Sequence, residues 1–146
     1  MIGDGQSLDL AGYYDYYESP VKIVPTPEGG LTAWRLDRWT GGWKPANDII
    51  DEILFAMDGD IFVRTAEEFV QRTEAERGRY LKGEGPIFAL YETVRAIEDV
   101  AIAEGRPYTP KEAALVKGIR RRTFVMFEEQ LRQAGDPGAD PTIATG

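Results

Sequence analysis

The chain has 146 residues, the size of one domain, and its 42% hydrophobic and 29% charged residues are ordinary for a globular protein. It contains neither histidine nor cysteine, which excludes imidazole-based catalysis, thiol nucleophiles, disulfide bonds and thiolate metal sites. The net charge is −8, and residues 1–60 hold 11 acidic against 4 basic residues, a balance that would repel a phosphate backbone.

The N-terminal half predicts a small antiparallel sheet. Residues 1–12 are rich in glycine and aspartate and suggest a loose arm. The segments VKIVP and LTAWRLDRW then flank the turn TPEGG, which predicts a β-hairpin. The run IFV at residues 61–63 predicts one further short strand.

Apolar spacing and capping residues predict four helices. They begin near residue 47, after the capping box at residues 65–68, at Pro86, and after the capping box at residues 109–112. The loop between the last two is short, which predicts an antiparallel helical hairpin. The predicted fold class is therefore α+β, with a small antiparallel sheet packed against three or four helices.

The domain boundaries and the location of the protein follow from composition. Residues 1–135 are predicted to form a single α+β domain, and the Pro- and Gly-rich residues 136–146 a flexible tail. The first residues lack the basic and apolar pattern of a secretory signal, and no window approaches the ~18 apolar residues of a membrane span. We therefore expect a cytoplasmic protein without a membrane partner.

Two aromatic clusters predict a partner-binding surface. Four tyrosines fall within five residues, which is more than one small core can take, and all three tryptophans lie between residues 34 and 43. Tyrosine and tryptophan are enriched at protein interfaces. The candidate partner-binding residues are Tyr13, Tyr14, Tyr16, Tyr17, Trp39 and Trp43.

Each aromatic cluster also has a purely structural interpretation. The tyrosines can form an edge strand in which alternate rings pack inward, and the tryptophans can cover the open end of a small sheet. Trp34 shares a strand face with Leu36 and is predicted to pack inward, whereas Trp39 and Trp43 flank a glycine turn. For Trp43 and for the tyrosines, both interpretations stay open.

Glu98 is predicted to be a buried charge, because it falls inside an apolar helical stripe between Val94 and Ile102. A carboxylate in that position must be paired, protonated or able to reach the surface. A catalytic acid would show the same pattern, but a single carboxylate without a second one nearby favours a structural ion pair.

The predicted function is a non-catalytic acidic protein-binding module of the inhibitor, immunity, antitoxin or adaptor type, whose aromatic N-terminal face binds a basic protein. One alternative is a structural component of a larger assembly, such as a phage particle or a homo-oligomer. Another is a carboxylate-based enzyme or small-ligand binder with a pocket near Glu98.

The only basic run, KGIRRR, is spread around its helix, so we expect no nucleic-acid partner. No nucleotide or calcium motif is present, and we expect no cofactor and no metal.

Overall fold

A computed structural model describes residues 11–55 and 59–145. In this part of the chain, five antiparallel strands form one sheet in the order β4-β3-β2-β1-β5. The strands are β1 (Gly12–Tyr16), β2 (Ser19–Pro25), β3 (Leu31–Leu36), β4 (Trp43–Pro45) and β5 (Ile61–Arg64). The predicted hairpin corresponds to β2 and β3, and the IFV run lies in β5.

The helices complete an α+β fold, as the sequence predicts. They are α1 (Ile50–Leu54), α2 (Ala66–Tyr80), α3 (Pro86–Ala103) and α4 (Pro110–Gln133), with 3-10 turns at Asn47–Ile49 and Pro141–Ala144. Helices α3 and α4 are antiparallel, since Ile87 near the start of α3 packs in one cluster with Phe127 near the end of α4.

Local interactions explain where the long helices begin. The Thr65 hydroxyl accepts from the Glu68 backbone N–H at 3.1 Å while the Glu68 carboxylate accepts from the Thr65 N–H at 2.9 Å, which is a capping box. Thr109 and Glu112 form the same pair of hydrogen bonds at the start of α4. Helix α3 instead begins with Pro86, whose fixed φ suits a first helical position.

The two faces of the sheet are covered by different elements. Because strand side chains alternate, Val21, Ile23 and Ala33 point to one face, where they pack against Ile49 and Ile53. The opposite face is covered by α2, α4 and the C-terminal residues. Its core cluster consists of Leu36, Trp43, Phe69, Val70 and Phe124, with Tyr13, Trp34, Leu131, Ile143 and Ala144 packed at its border.

Residues 136–145, which the composition predicts to be a flexible tail, lie against this second face. The Lys22 ammonium donates to the Gly138 carbonyl, and the Asp140 backbone N–H donates to Glu128 at 2.8 Å. Asp136 accepts from the Trp43 backbone N–H at 2.9 Å. These partners are distant in sequence, so the composition of the segment does not reveal that its polar groups are satisfied by the domain.

Candidate protein-binding surface

Strand order brings three separate segments to one end of the sheet. Residues 17–18 form the turn between β1 and β2, and residues 37–42 connect β3 to β4. Since Tyr16 pairs with Ser19 and with Ile61, while Val21 pairs with Arg35, the start of β5 and the end of β3 lie level with this turn. Loop residues far apart in the chain therefore share one surface.

Each of these segments exposes an aromatic side chain. Tyr17 is 43% exposed in the turn, Trp39 is 80% exposed in the 37–42 loop, and Phe62 is 49% exposed in β5. We call these three residues the aromatic end. Several large exposed rings at one end of a sheet are typical of interaction surfaces, whereas single exposed apolar residues are common everywhere.

A chain of ion pairs along α2 connects the parts of the aromatic end. Arg38, the neighbour of Trp39, lies 3.7 Å from Glu76, which is 3.9 Å from Arg72. Arg72 in turn lies 3.6 Å from Asp15, and Arg64, the second residue after Phe62, contacts Asp15 at 2.8 Å. These charges form a polar border for the rings, as at many protein interfaces.

A groove of about 510 Å³ opens between the turn and β5. It is lined by Asp15, Tyr17, Glu18, Asp60, Phe62, Arg64 and Arg72. The groove therefore combines two rings of the aromatic end with charged groups of both signs. Such a concave surface fits a protruding side chain or an extended segment of a partner.

The turn that displays Tyr17 is strained. Tyr17 has φ 47° and Glu18 has φ 68°, a left-handed conformation that costs side-chain-bearing residues about 1–2 kcal/mol each. Turns of this kind favour Asn-Gly, because glycine and asparagine tolerate positive φ. Strained residues cluster at functional sites, which is consistent with a turn selected for its display of a ring.

We expect Glu18→Gly to raise the free energy of unfolding by about 0.5–1 kcal/mol, because glycine adopts positive φ without a steric cost. Urea denaturation measures this directly. Glu28→Gly is the matched control, since Glu28 is also exposed in a turn but does not have positive φ. If the Glu18→Gly variant is no more stable than the Glu28→Gly variant, the turn is not strained.

The other predicted partner-binding residues lie inside or at the edge of the core. Tyr14 is 9% exposed and Trp43 is 6% exposed. Tyr13 packs on Phe69 with ring centroids 4.8 Å apart, and the Tyr16 hydroxyl donates to Glu52 at 2.6 Å. This hydrogen bond and partial burial raise the pKa of Tyr16, while burial raises the pKa of Tyr13 and of Tyr14. Of the six candidates, the structure exposes Tyr17 and Trp39 most.

Glu98 is exposed in the structure, although its helical position predicts burial. Its carboxylate accepts a long hydrogen bond of 3.5 Å from the Tyr108 hydroxyl. The difference arises because the C-terminal half of α3 is mostly uncovered, and of residues 95–103 only Ala101 is fully buried. Glu98 also lines a second groove of about 510 Å³ between α2 and α3, together with Glu76, Tyr91 and Arg120.

The most deeply buried charges are instead Lys22, Glu74, Arg77 and Glu128, all at most 2% exposed. Arg77 contacts Glu74 at 2.8 Å and Glu128 at 2.5 Å, and it donates twice to the Gly41 carbonyl at 3.0 and 2.7 Å. Two cations and two anions keep the group neutral, as burial requires. The sequence pattern does not reveal this group, because its four residues are spread over β2, α2 and α4 and only Glu74 and Arg77 share an element.

The hydrogen bonds of the buried charges explain why Trp43 is part of the core. The Trp43 indole N–H lies 3.0 Å from both carboxylate oxygens of Glu128. The Tyr91 hydroxyl donates to Glu74 at 2.7 Å, and burial raises the pKa of Tyr91. Burial alone would lower the pKa of Arg77, but Glu74 and Glu128 outweigh it and the pKa is raised. Arg77 and Tyr91 thus keep the protons that they donate to these carboxylates.

The described residues contain neither a membrane-spanning helix nor a cluster of metal ligands. No helix in residues 11–55 and 59–145 is long and apolar enough to cross a bilayer. The same residues contain no group of three or more acidic side chains placed to hold a metal ion.

Comparison with known proteins gives no relative of this chain. No family model matches the sequence, and no curated protein or solved structure is significantly similar to it. The class of protein must therefore be inferred from the fold and the surface themselves.

Proposed function

We propose that this protein is a non-catalytic binding module whose aromatic end binds a basic partner protein. The observation that supports the proposal best is the convergence of Tyr17, Trp39 and Phe62 from three segments onto one end of the sheet. Tyrosine and tryptophan supply much of the binding energy in protein interfaces, because their rings bury a large area at low entropic cost.

The charge of the protein supports a basic partner. The net charge of −8 attracts a basic protein over long distances and accelerates its association. At short range, the ion pairs that border the rings can orient the partner. Inhibitors, immunity proteins, antitoxins and adaptors are the classes that fit a small acidic module of this kind, and we expect it to act in the cytoplasm.

We expect Trp39→Ala to weaken partner binding by at least about tenfold, because truncation of an interface tryptophan typically costs more than 1 kcal/mol. The same variant should change the free energy of unfolding by less than about 0.5 kcal/mol, since Trp39 is 80% exposed. Immobilised wild-type protein captures the partner from a lysate of the source organism at low salt and releases it at high salt. The binding of the eluted protein is then measured for each variant.

Ile102→Ala is the matched control for Trp39→Ala. Ile102 is 68% exposed, but it lies on the helical hairpin and not at the aromatic end. The control variant should bind the partner like the wild type. Equal capture by Trp39→Ala and Ile102→Ala, or capture that high salt does not reverse, would contradict the proposal.

A small-ligand site is the second candidate function, and the groove beside Glu98 is the observation that favours it. Carboxylate and guanidinium groups line this groove, so a ligand there would be polar or zwitterionic. Thermal unfolding of the wild type and of Glu98→Gln against a set of polar metabolites tests this function. A compound that stabilises only the wild type would support it.

A further inference from the structure

Among the residues that the structure describes, nothing pairs with the outer edge of β5, which is therefore open. In the described part of the chain, β1 is the only strand that pairs with β5, and no strand lies on its other side. Natural proteins usually protect such an edge with proline, lysine or a covering segment. Here the edge residues include Phe62 and Val63, which are 49% and 78% exposed. An exposed apolar edge strand is a template for the addition of another strand.

The pairing with β1 shows which backbone groups of β5 point outward. The Tyr17 N–H donates to the Asp60 carbonyl at 3.0 Å, so the backbone groups of Asp60 point toward β1. In an antiparallel pair, the backbone groups of successive residues point alternately toward and away from the neighbouring strand. The backbone groups of Phe62 and Arg64 therefore also point toward β1, and those of Ile61 and Val63 point away from it. The N–H and C=O groups of Ile61 and Val63 are thus oriented toward an added strand.

Side chains on both faces of β5 would contact such a strand. Val63 pairs with Tyr14 and points to the face that carries α1, whereas Phe62 pairs with Asp15 and points to the face that carries α2. Phe62 also belongs to the aromatic end and lines its groove. The open edge is therefore continuous with the proposed binding surface.

The charges around β5 define the chemistry of the segment that fits there. Four carboxylates line the groove or contact a residue that lines it, and they outnumber the two guanidinium groups there, Arg64 and Arg72, which both contact Asp15. The carboxylates are those of Asp15, Glu18, Asp60 and Glu68. This excess of negative charge favours a basic segment. A second copy of the chain would bring another net charge of −8 and be repelled.

We propose that the partner inserts an extended basic segment as a strand along the open edge of β5. This inference rests on the proposed function and specifies how the partner is recognised. Backbone hydrogen bonds to Ile61 and Val63 provide affinity, and contacts with Phe62 and the surrounding carboxylates select apolar and basic side chains.

Val63→Pro tests the inference, because it removes an outward N–H and leaves the hydrogen bonds between β1 and β5 intact. Val63→Thr is the matched control, since threonine keeps the N–H and the β-branched shape. The probe is a fluorescent octapeptide of alternating lysine and valine, and anisotropy measures its binding. We expect Val63→Pro to weaken binding by at least about tenfold and Val63→Thr by less than about threefold.

Several results would overturn the inference. The first is that the peptide does not bind the wild type, and the second is that it binds the wild type and Val63→Pro equally well. The third is that the wild type is a dimer in size-exclusion chromatography and Val63→Pro is a monomer. Thermal denaturation of Val63→Pro verifies that the variant is folded. If Trp39→Ala abolishes partner capture while Val63→Pro does not, strand addition fails and the proposed function stands. If neither variant affects capture, both fail.

Discussion

Arg77→Met should lower the free energy of unfolding by about 3–5 kcal/mol, the cost of removing one member of a buried ion pair. The substitution leaves the carboxylates of Glu74 and Glu128 without their cation and the Gly41 carbonyl without its two donors. A domain of this size is stable by only about 5–15 kcal/mol, so the variant would lose a large part of its stability. The midpoint of urea denaturation measures the loss.

Two further variants define what the Arg77 result means. Arg79→Met removes an exposed arginine from the same helix and should change stability by less than about 0.5 kcal/mol. Arg77→Met combined with Glu74→Gln and Glu128→Gln removes the uncompensated charges and should recover part of the loss. A loss below about 1 kcal/mol for Arg77→Met alone would show that water replaces the guanidinium group.

Truncation after Gly135 should lower the free energy of unfolding by about 3 kcal/mol or more, because each buried polar group left without its partner costs about 1–3 kcal/mol. Lys22 would lose the Gly138 carbonyl, and Glu128 would lose the Asp140 N–H. Burial already lowers the pKa of Lys22, so its ammonium depends on these partners. Thermal and urea denaturation measure the effect.

A chain that ends at Thr145 is the control for this truncation, since it retains all the contacts of residues 136–145 described above. Its stability should equal that of the full chain. If the chain that ends at Gly135 is as stable as the control, then residues 136–146 are the flexible tail that the composition predicts. Gly138→Ala offers a smaller perturbation of the same contact, because the new Cβ would lie 2.5 Å from Cβ of Trp43.

Local features of the sequence predict the helices and the central hairpin well. The capping boxes at Thr65 and Thr109 and the prolines at Pro86 and Pro110 act within one helical turn, so they can be read directly from the residues. The same holds for the Pro- and Gly-rich turn between β2 and β3. These interactions decide where elements begin and end, and tertiary contacts do not override them here.

The parts of the fold that depend on contacts between distant residues could not be predicted. Trp43 is buried because Glu128, 85 positions away, accepts from its indole, and no local pattern records that contact. Glu98 has the right helical spacing for burial, but of residues 95–103 in α3 only Ala101 is fully buried. Phe62 sits in a predicted strand, yet its exposure follows from the place of β5 at the sheet edge.

The residues of the aromatic end could therefore be predicted only in part. Tyr17 and Trp39 could be named because clustered aromatic residues exceed what a small core accepts. Phe62 could not, since a short apolar run reads equally well as a buried strand. The sheet order places the three residues at the same end of the sheet. That order depends on the pairing between β1 and β5, which lie about 50 positions apart.

Amide hydrogen exchange of the protein, alone and with its captured partner, tests the central claim most directly. If the aromatic end is the binding surface, exchange should slow in residues 17–19, 37–42 and 60–64, and it should stay unchanged at the exposed ends of α3 and α4. Slower exchange confined to the helical hairpin, or no change at the aromatic end, would contradict the claim.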